Sequence, residues 1–121
     1  MAKYPKAKEY FSGALTEMLK KDFPDAITKA YSSLESIVKT VLGNNKNLKD
    51  NIPELLKLLD LPKQWGNIIF NFCSYAHDFS SRHGKSEKRK GAQEKIGMEI
   101  AEAYIYFTGL VIRLIILNQR E

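Results

Sequence analysis

Apolar side chains recur at every third or fourth position along most of this chain, and that spacing restricts the fold more than any other feature of the sequence. It is found in five segments, at about residues 7–22, 25–42, 48–59, 63–80 and 94–118. No segment alternates between apolar and polar residues as a strand does, and the sequence contains no internal repeat. With 121 residues, the chain has the length of one domain. We therefore predict an all-α fold, a single-domain bundle of about five helices that spans residues 1–121.

The same spacing predicts which face of each helix lies in the core. The predicted core faces are Ala7, Tyr10, Phe11, Ala14, Leu15 and Met18 in the first helix; Ile27, Ala30, Tyr31, Leu34, Ile37, Val38 and Val41 in the second; Trp65, Ile68, Ile69, Phe72, Ala76 and Phe79 in the fourth; and Ile100, Tyr104, Phe107, Val111, Leu114 and Ile115 in the last. Three further isoleucines of the last helix lie off its stripe: Ile105, Ile112 and Ile116. Cys73 lies beside the fourth stripe, and we interpret it as a small buried hydrophobic residue.

Prolines and glycines mark the helix boundaries. Pro24 and Asp25 suit the first turn of a helix, because proline lacks the amide hydrogen that would be unpaired there and a carboxylate favours the positive end of the helix dipole. Gly43, followed by two asparagines, tolerates the positive φ that commonly ends a helix. The third helix contains Pro53, and the sequence allows it either to begin there or to kink there.

The last helix holds the longest apolar stretch, Ala103 to Leu117. A membrane-spanning helix needs roughly 20 apolar residues, whereas this stretch is shorter and contains Arg113. We interpret it as a helix that is buried on most of its circumference, with no membrane as a partner. Its apolar surface is wider than a small bundle usually covers, which favours a homodimer; a central helix surrounded by the other four is the alternative.

Composition and charge suggest a compartment and a class of partner. A single cysteine permits no intramolecular disulfide, and the charged start of the chain has no signal-peptide pattern, so we expect a reducing, cytoplasmic location. The net charge of +5 and the pI of about 9.3 favour a polyanion as a partner. A solvated lysine-rich surface would have the same composition.

Candidate catalytic residues cluster where the fourth helix meets a polar loop: His77, Asp78, Arg82 and His83. Histidine moves protons near neutral pH, and arginine holds phosphate through two hydrogen bonds. The basic residues of the loop are candidates for binding a nucleic-acid backbone: Arg82, Lys85, Lys88, Arg89 and Lys90. In the alternative interpretation, His77 packs or caps near the helix end and His83 with Gly84 forms the turn.

Other chemistry has less support in the sequence. No cysteine pair and no H-E-x-x-H pattern suggests zinc, so we predict no metal site and no cofactor. Glu35 and Lys39 have the spacing of an ordinary helical ion pair. A functional role for Glu35 would require it to face the His77–His83 junction.

Several motifs together resemble the abortive-infection C-terminal domain. They are Asp25-Ala26-Ile27, the stretch Leu34-Glu35-Ser36-Ile37-Val38-Lys39, the leucine-rich third helix and the triplet Arg82-His83-Gly84. The resemblance covers the chain from about Phe23 to the last helix. That family is similar to the HEPN helical domains of prokaryotic antiviral and toxin systems, many of which are dimeric, metal-independent ribonucleases. The resemblance therefore implies a helical fold, a homodimer and RNA as the substrate or ligand.

The ribonuclease motif of HEPN domains is an arginine followed, after four to six other residues, by a histidine. Counted back from His83, the arginine positions hold Asp78, His77 and Ala76, and Arg82 is too close to match. We therefore expect a non-catalytic HEPN-like module that binds RNA or a partner protein in a defence or toxin-related system. The first alternative is a metal-independent ribonuclease that uses His83 with His77 or Arg82 at a dimer interface, and the second is a plain dimerisation domain.

Overall fold

The computed structural model describes residues 3–78 and 96–119. These residues form five helices: α1 (Pro5–Leu19), α2 (Phe23–Leu42), α3 (Leu48–Leu59), α4 (Gln64–Asp78) and α5 (Met98–Gln119). No strand occurs within the two described ranges. The predicted all-α fold with about five helices is confirmed.

Helix α2 is the centre of the bundle, because it packs against each of the other four helices. Its predicted apolar face is buried along nearly its whole length, and only Val41 at its end is half-buried. Ile27, Leu34 and Ile37 are completely inaccessible to solvent. The hydrophobic core is therefore organised around one helix in the first half of the chain.

The predicted boundaries of α2 and α3 are supported by capping contacts. The Asp22 side chain accepts a hydrogen bond from the Asp25 amide at 3.3 Å, and Asn47 accepts one from the Asp50 amide at 2.9 Å. Gly43 ends α2 with a φ of 68°, a conformation that side chains with a Cβ rarely adopt. Pro24 lies in the first turn of α2, as its missing amide hydrogen predicts.

Pro53 lies inside α3, which begins at Leu48. The helix therefore does not start at the proline. Pro53 is in the second turn and is exposed, while Leu48, Ile52 and Leu55 anchor the buried face. Because proline has no amide hydrogen, Pro53 cannot donate to the Lys49 carbonyl, so α3 lacks one backbone hydrogen bond in its second turn.

The predicted faces of α1 and α4 are partly wrong. In α1, Ala7 and Ala14 are buried, whereas Tyr10 and Leu15 are exposed at 36% and 48%. In α4, Ile68 is 45% exposed. The buried face of the helix is formed by Ile69, Phe72, Cys73 and Ala76. The interpretation of Cys73 as a buried hydrophobic residue is confirmed.

The predicted face of α5 is also partly wrong: Tyr104, Val111 and Ile115 are buried as predicted, but the rest of the core face differs. Ile105 and Ile112, placed off the stripe, are buried, whereas Ile100 and Leu114, placed on it, are 47% and 40% exposed. Thr108 explains part of this difference between the predicted and the observed core face of α5. It is fully buried, and its hydroxyl donates to the Tyr104 carbonyl at 2.8 Å, so a polar residue occupies the middle of the core face.

Helix α5 is not buried on most of its circumference, contrary to expectation. Within an apolar stretch of 18 residues in this helix, only 39% is buried in the bundle. By length and composition, α5 is long and apolar enough to cross a membrane, a criterion that the core helix of a bundle also meets. The position surrounded by all the other helices belongs to α2, so the central-helix alternative for α5 is wrong for the described residues.

Candidate functional site

Two of the predicted catalytic residues, His77 and Asp78, form the end of α4. His77 is half-buried and Asp78 is exposed. The other predicted site residues lie outside the described ranges: Arg82, His83, Lys85, Lys88, Arg89 and Lys90. Of the three positions where the family motif would place an arginine, Ala76 is buried in the core.

The imidazole ring of His77 packs edge-on against the buried ring of Tyr31 in α2, with 5.1 Å between ring centroids. Tyr31 also lies near Phe72, which stacks on Tyr104 of α5 at 4.2 Å. The Tyr104 hydroxyl donates to the Phe72 carbonyl at 2.9 Å, in a buried position. The end of α4 is therefore fixed to both α2 and α5 by aromatic contacts.

Glu35 connects this aromatic cluster to the start of α3. One of its carboxylate oxygens, Oε2, accepts hydrogen bonds from the Tyr31 hydroxyl at 3.0 Å and from the Leu48 amide at 3.1 Å. The other, Oε1, is 3.9 Å from the Lys39 ammonium. The Leu48 amide is one of the donors that a helix start leaves without an intrahelical acceptor. Glu35 thus stabilises the start of α3 and also binds Tyr31, the residue whose ring packs against His77.

A polar groove runs beside Glu35, between α1 and the second half of α2. It is an open cleft of about 300 Å³. Its lining consists of Lys6 and Tyr10 from α1, together with Ser32, Glu35, Ser36, Lys39, Thr40 and Asn45. Two ammonium groups, one carboxylate and four hydroxyls therefore face the same small volume, which suits a polar or anionic ligand.

Sequence reasoning did not find this groove. The sequence pattern predicts Tyr10 in the core. Lys6 belongs to the lysine-rich start of the chain, which is typical of an ordinary solvated surface. Ser32, Ser36 and Thr40 recur at four-residue intervals, so a polar stripe beside the apolar stripe of α2 was the available signal. The contribution of α1 depends on how the two helices cross, which the local pattern does not specify.

A second polar cluster joins the end of α1 to the start of α2. The carboxylate oxygens of Glu17, Asp22 and Asp25 lie within 4.8 Å of one another. Lys29 is 2.8 Å from Glu17 and 3.4 Å from Asp25. The hydrogen bond from Lys29 lowers the pKa of Glu17 and raises that of Lys29 itself. Because Lys29 already pairs with Glu17 and Asp25, and the Asp22 carboxylate accepts from the Asp25 amide, we interpret the three carboxylates as an ion-pair and capping cluster and assign them no metal.

Cys73 is unsuited to nucleophilic chemistry. Burial raises the pKa of its thiol to about 12, so the reactive thiolate is scarce at neutral pH. The groups available for chemistry among the described residues are therefore His77 with its Tyr31–Glu35 contacts and the lining of the polar groove.

Comparison with protein-family models, with curated proteins and with solved structures found no match for this chain.

Proposed function

We propose that this chain is a non-catalytic, HEPN-like helical module that binds RNA through the basic segment Arg82 to Lys90, in a defence or toxin-related system. The observation that carries the proposal is the fixed position of His77. Its ring packs against Tyr31 in the central helix, and the basic segment begins five residues later. A charged segment attached to a rigid helix end loses less conformational freedom on binding than one attached to a loose end.

The charge of the segment supports a polyanionic ligand. Four of its five basic residues, Lys85, Lys88, Arg89 and Lys90, fall within six consecutive positions. Each lysine or arginine that neutralises a phosphate releases counterions, so affinity for a single strand falls with salt by about 0.7 in log–log slope per contact. Binding of this kind requires no catalytic geometry.

The substitution at the motif arginine favours binding over cleavage. His77 or Asp78 stands where HEPN ribonucleases have an arginine that stabilises negative charge at the reacting phosphate. Asp78 has the wrong charge for that role, and His77 already contacts Tyr31. The ribonuclease alternative would have to use His83 with His77 or Arg82.

A second copy of the chain is the partner that we propose for the exposed face of α5. Side chains on this face follow a heptad pattern, with Ile100, Phe107 and Leu114 at one core position and Ala103, Leu110 and Leu117 at the other. Five of these six side chains are exposed and Phe107 is half-buried. Such a repeat is the pattern by which two helices pair along a seam.

The charges that flank this seam favour an antiparallel pair. Glu99, Tyr106 and Arg113 are spaced seven residues apart along one side of the heptad face, and all three are exposed. In an antiparallel arrangement, Glu99 of each copy would lie beside the partner's Arg113, with Tyr106 at the two-fold axis. Contact with a membrane would not require this order of charges, whereas pairing with a second copy would.

RNA binding can be measured by fluorescence anisotropy with a labelled single-stranded RNA over a range of salt concentrations. The test variant replaces all five basic residues with glutamine: R82Q, K85Q, K88Q, R89Q and K90Q. A matched control removes five exposed lysines from other parts of the chain: K8Q, K20Q, K21Q, K57Q and K63Q.

We expect the test variant to lose up to about 3.5 in salt slope and most of its affinity, while the control retains the larger share of both. Equal losses in the two variants would mean that only net charge matters. Absence of RNA binding by the wild type would overturn the proposal and favour a protein-partner or dimerisation role.

A further inference from the structure

We propose that the polar groove is a second RNA contact, which holds one phosphate of the strand between Lys6 and Lys39 and places the adjoining base against Tyr10. This inference rests on the proposed function and adds a site to it. The groove lies within the described residues. Seven of its eight lining residues come from α1 and α2, which pack closely on each other, and the eighth, Asn45, follows the end of α2.

The electrostatics of the groove favour an anion. Its one carboxylate, Glu35, already accepts hydrogen bonds from the Tyr31 hydroxyl and the Leu48 amide through Oε2. Neither donor residue lines the groove, so the carboxylate is partly satisfied by residues outside it. Lys39 lies 3.9 Å from Oε1, too far for a tight hydrogen bond, which leaves its ammonium able to turn toward a ligand. With Lys6 the groove has a net positive charge.

Hydroxyl groups complete a phosphate site. Ser32 and Ser36 lie one helical turn apart on α2 and both line the groove. A serine hydroxyl rotates freely and donates to a phosphate oxygen, as it does in many protein contacts to nucleic-acid backbones. Thr40 is different, because its hydroxyl donates to the Ser36 carbonyl at 3.1 Å. Thr40 therefore offers an acceptor, which suits the 2′-hydroxyl of ribose.

Tyr10 supplies the aromatic surface that single-strand binding sites use. Its side chain is 36% exposed although its position in the helix pattern predicts burial, and it lines the groove next to Lys6. Bases stack on exposed aromatic rings without regard to their identity. A tyrosine beside two lysines thus provides the combination of stacking and phosphate neutralisation that single strands require.

The size of the groove limits what part of the strand it can hold. A cleft of about 300 Å³ is at the small end of the range for ligand pockets, about 300–1,000 Å³. One nucleotide unit of a flexible strand fits a cleft of that size, whereas a rigid double helix could contact only its rim. The size of the groove therefore favours a single strand over a double helix, and the Thr40 hydroxyl is the group that would favour RNA.

The test compares groove variants in the anisotropy assay with the same labelled single-stranded RNA. The double variant K6Q/K39Q removes the phosphate contacts, and Tyr10→Leu removes the stacking surface. The matched control, K8Q/K20Q, removes two exposed lysines of the same region that do not line the groove. Thermal unfolding followed by circular dichroism identifies any variant that fails to fold.

We expect K6Q/K39Q to weaken binding roughly tenfold more than the control and to lower the salt slope by about 0.7, the value for one phosphate contact on a single strand. Tyr10→Leu should weaken binding by a similar factor and leave the slope unchanged, because stacking releases no counterions. Photo-crosslinking of wild-type protein to RNA containing 4-thiouridine should attach the RNA at Tyr10, a result that needs no variant to fold.

Failure of this inference can be told apart from failure of the proposed function. If the wild type binds RNA but both groove variants bind like the control and no crosslink forms at Tyr10, only the groove is excluded. If the groove variants lose binding and the five-residue basic-segment variant keeps it, the groove stands and the basic segment is excluded. A wild type that binds no RNA overturns both.

Discussion

Helices α2 and α5 are nearly the same length, yet the less apolar of the two is the buried one. Helix α2 contains three serines, two threonines, two lysines, an aspartate and a glutamate in its 20 residues, and it contacts every other helix. Helix α5 is more apolar, but it buries one face and exposes Tyr106 and Leu110 at 65% and 62%. Overall hydrophobicity therefore does not identify the central helix of this bundle, whereas α2 does have a sharper apolar stripe than α5.

The reason lies in how polar residues are accommodated. In α2 they either stay on the outer face or have fixed partners, as Ser33 does by donating to the Ala7 carbonyl at 2.8 Å in the core. A helix with such a pattern has one stable orientation in the bundle. Helix α5 has apolar residues on all sides, so its own sequence permits several orientations, and the unused apolar face remains available for another chain.

The largest expected difference between the two helices is in how much the free energy of unfolding falls when a leucine side chain is shortened to alanine. In a Leu114→Asp background, which removes any association through α5, Leu34→Ala should lower the free energy of unfolding by about 3 kcal/mol because it leaves a cavity around a fully buried side chain. Leu110→Ala should change it by less than about 0.5 kcal/mol. Urea unfolding followed by circular dichroism measures both. Similar values for the two would show that α5 is as enclosed as α2.

The next effect concerns association. Replacing Leu110 and Leu114 with aspartate should convert a dimer to a monomer in sedimentation equilibrium without loss of helix content. Leu19→Asp is the matched control, since Leu19 is 87% exposed on α1 and away from the heptad face. A monomeric wild type would contradict the proposed second copy. Binding of the wild type to lipid vesicles, lost in the double variant, would instead identify a membrane as the partner of α5.

A smaller effect separates the two sides of α5 itself. Tyr104→Phe removes a buried hydrogen bond to the Phe72 carbonyl and should cost about 1 kcal/mol of unfolding free energy. Tyr106→Phe, on the exposed side, should cost nothing measurable. Burial raises the pKa of Tyr104 well above its ordinary value of 10 and also raises the pKa of Tyr75. Spectrophotometric titration should therefore show late-titrating tyrosines, and Tyr104→Phe should remove the latest of them. A latest-titrating phase that is unchanged in this variant would contradict the assignment.

The smallest effect is the pH dependence of the contact between α1 and α2. The hydrogen bond from Lys29 lowers the pKa of Glu17 below its usual 4.5. Glu17 therefore stabilises the fold fully above pH 4.5 and loses that contribution as the pH falls through its lowered value. Glu17→Gln should flatten the fall in stability below that pH, measured as urea midpoints. Glu54→Gln is the control, because Glu54 forms only an exposed pair with Lys57. Equal flattening in both variants would exclude a specific role for Glu17.

The fold was largely predictable because its information is local. The stripe of α2, the caps at Asp22 and Asn47 and the stop at Gly43 each depend on a few neighbouring residues. The face of α5 was not predictable, since apolar residues surround that helix and the choice between Ile105 and Leu114 for the core depends on what packs against it.

The candidate site was only partly predictable for the same reason. The sequence indicated His77 as a residue at a helix end and Glu35 as half of an ion pair. Their connection runs through Tyr31, which the pattern marked only as a core residue. A link between residues in α2 and α4 depends on how those helices cross, and no local spacing encodes that crossing.

The most direct test of the central claim, RNA binding without cleavage, is a single incubation in EDTA. Wild-type protein and His83→Ala are mixed with single-stranded RNA, and each sample is divided between a native gel and a denaturing gel. We expect both proteins to shift the RNA on the native gel and to leave it intact on the denaturing gel. RNA cleaved by the wild type but not by His83→Ala would contradict the claim and establish the metal-independent ribonuclease, and an unshifted, intact RNA would exclude both.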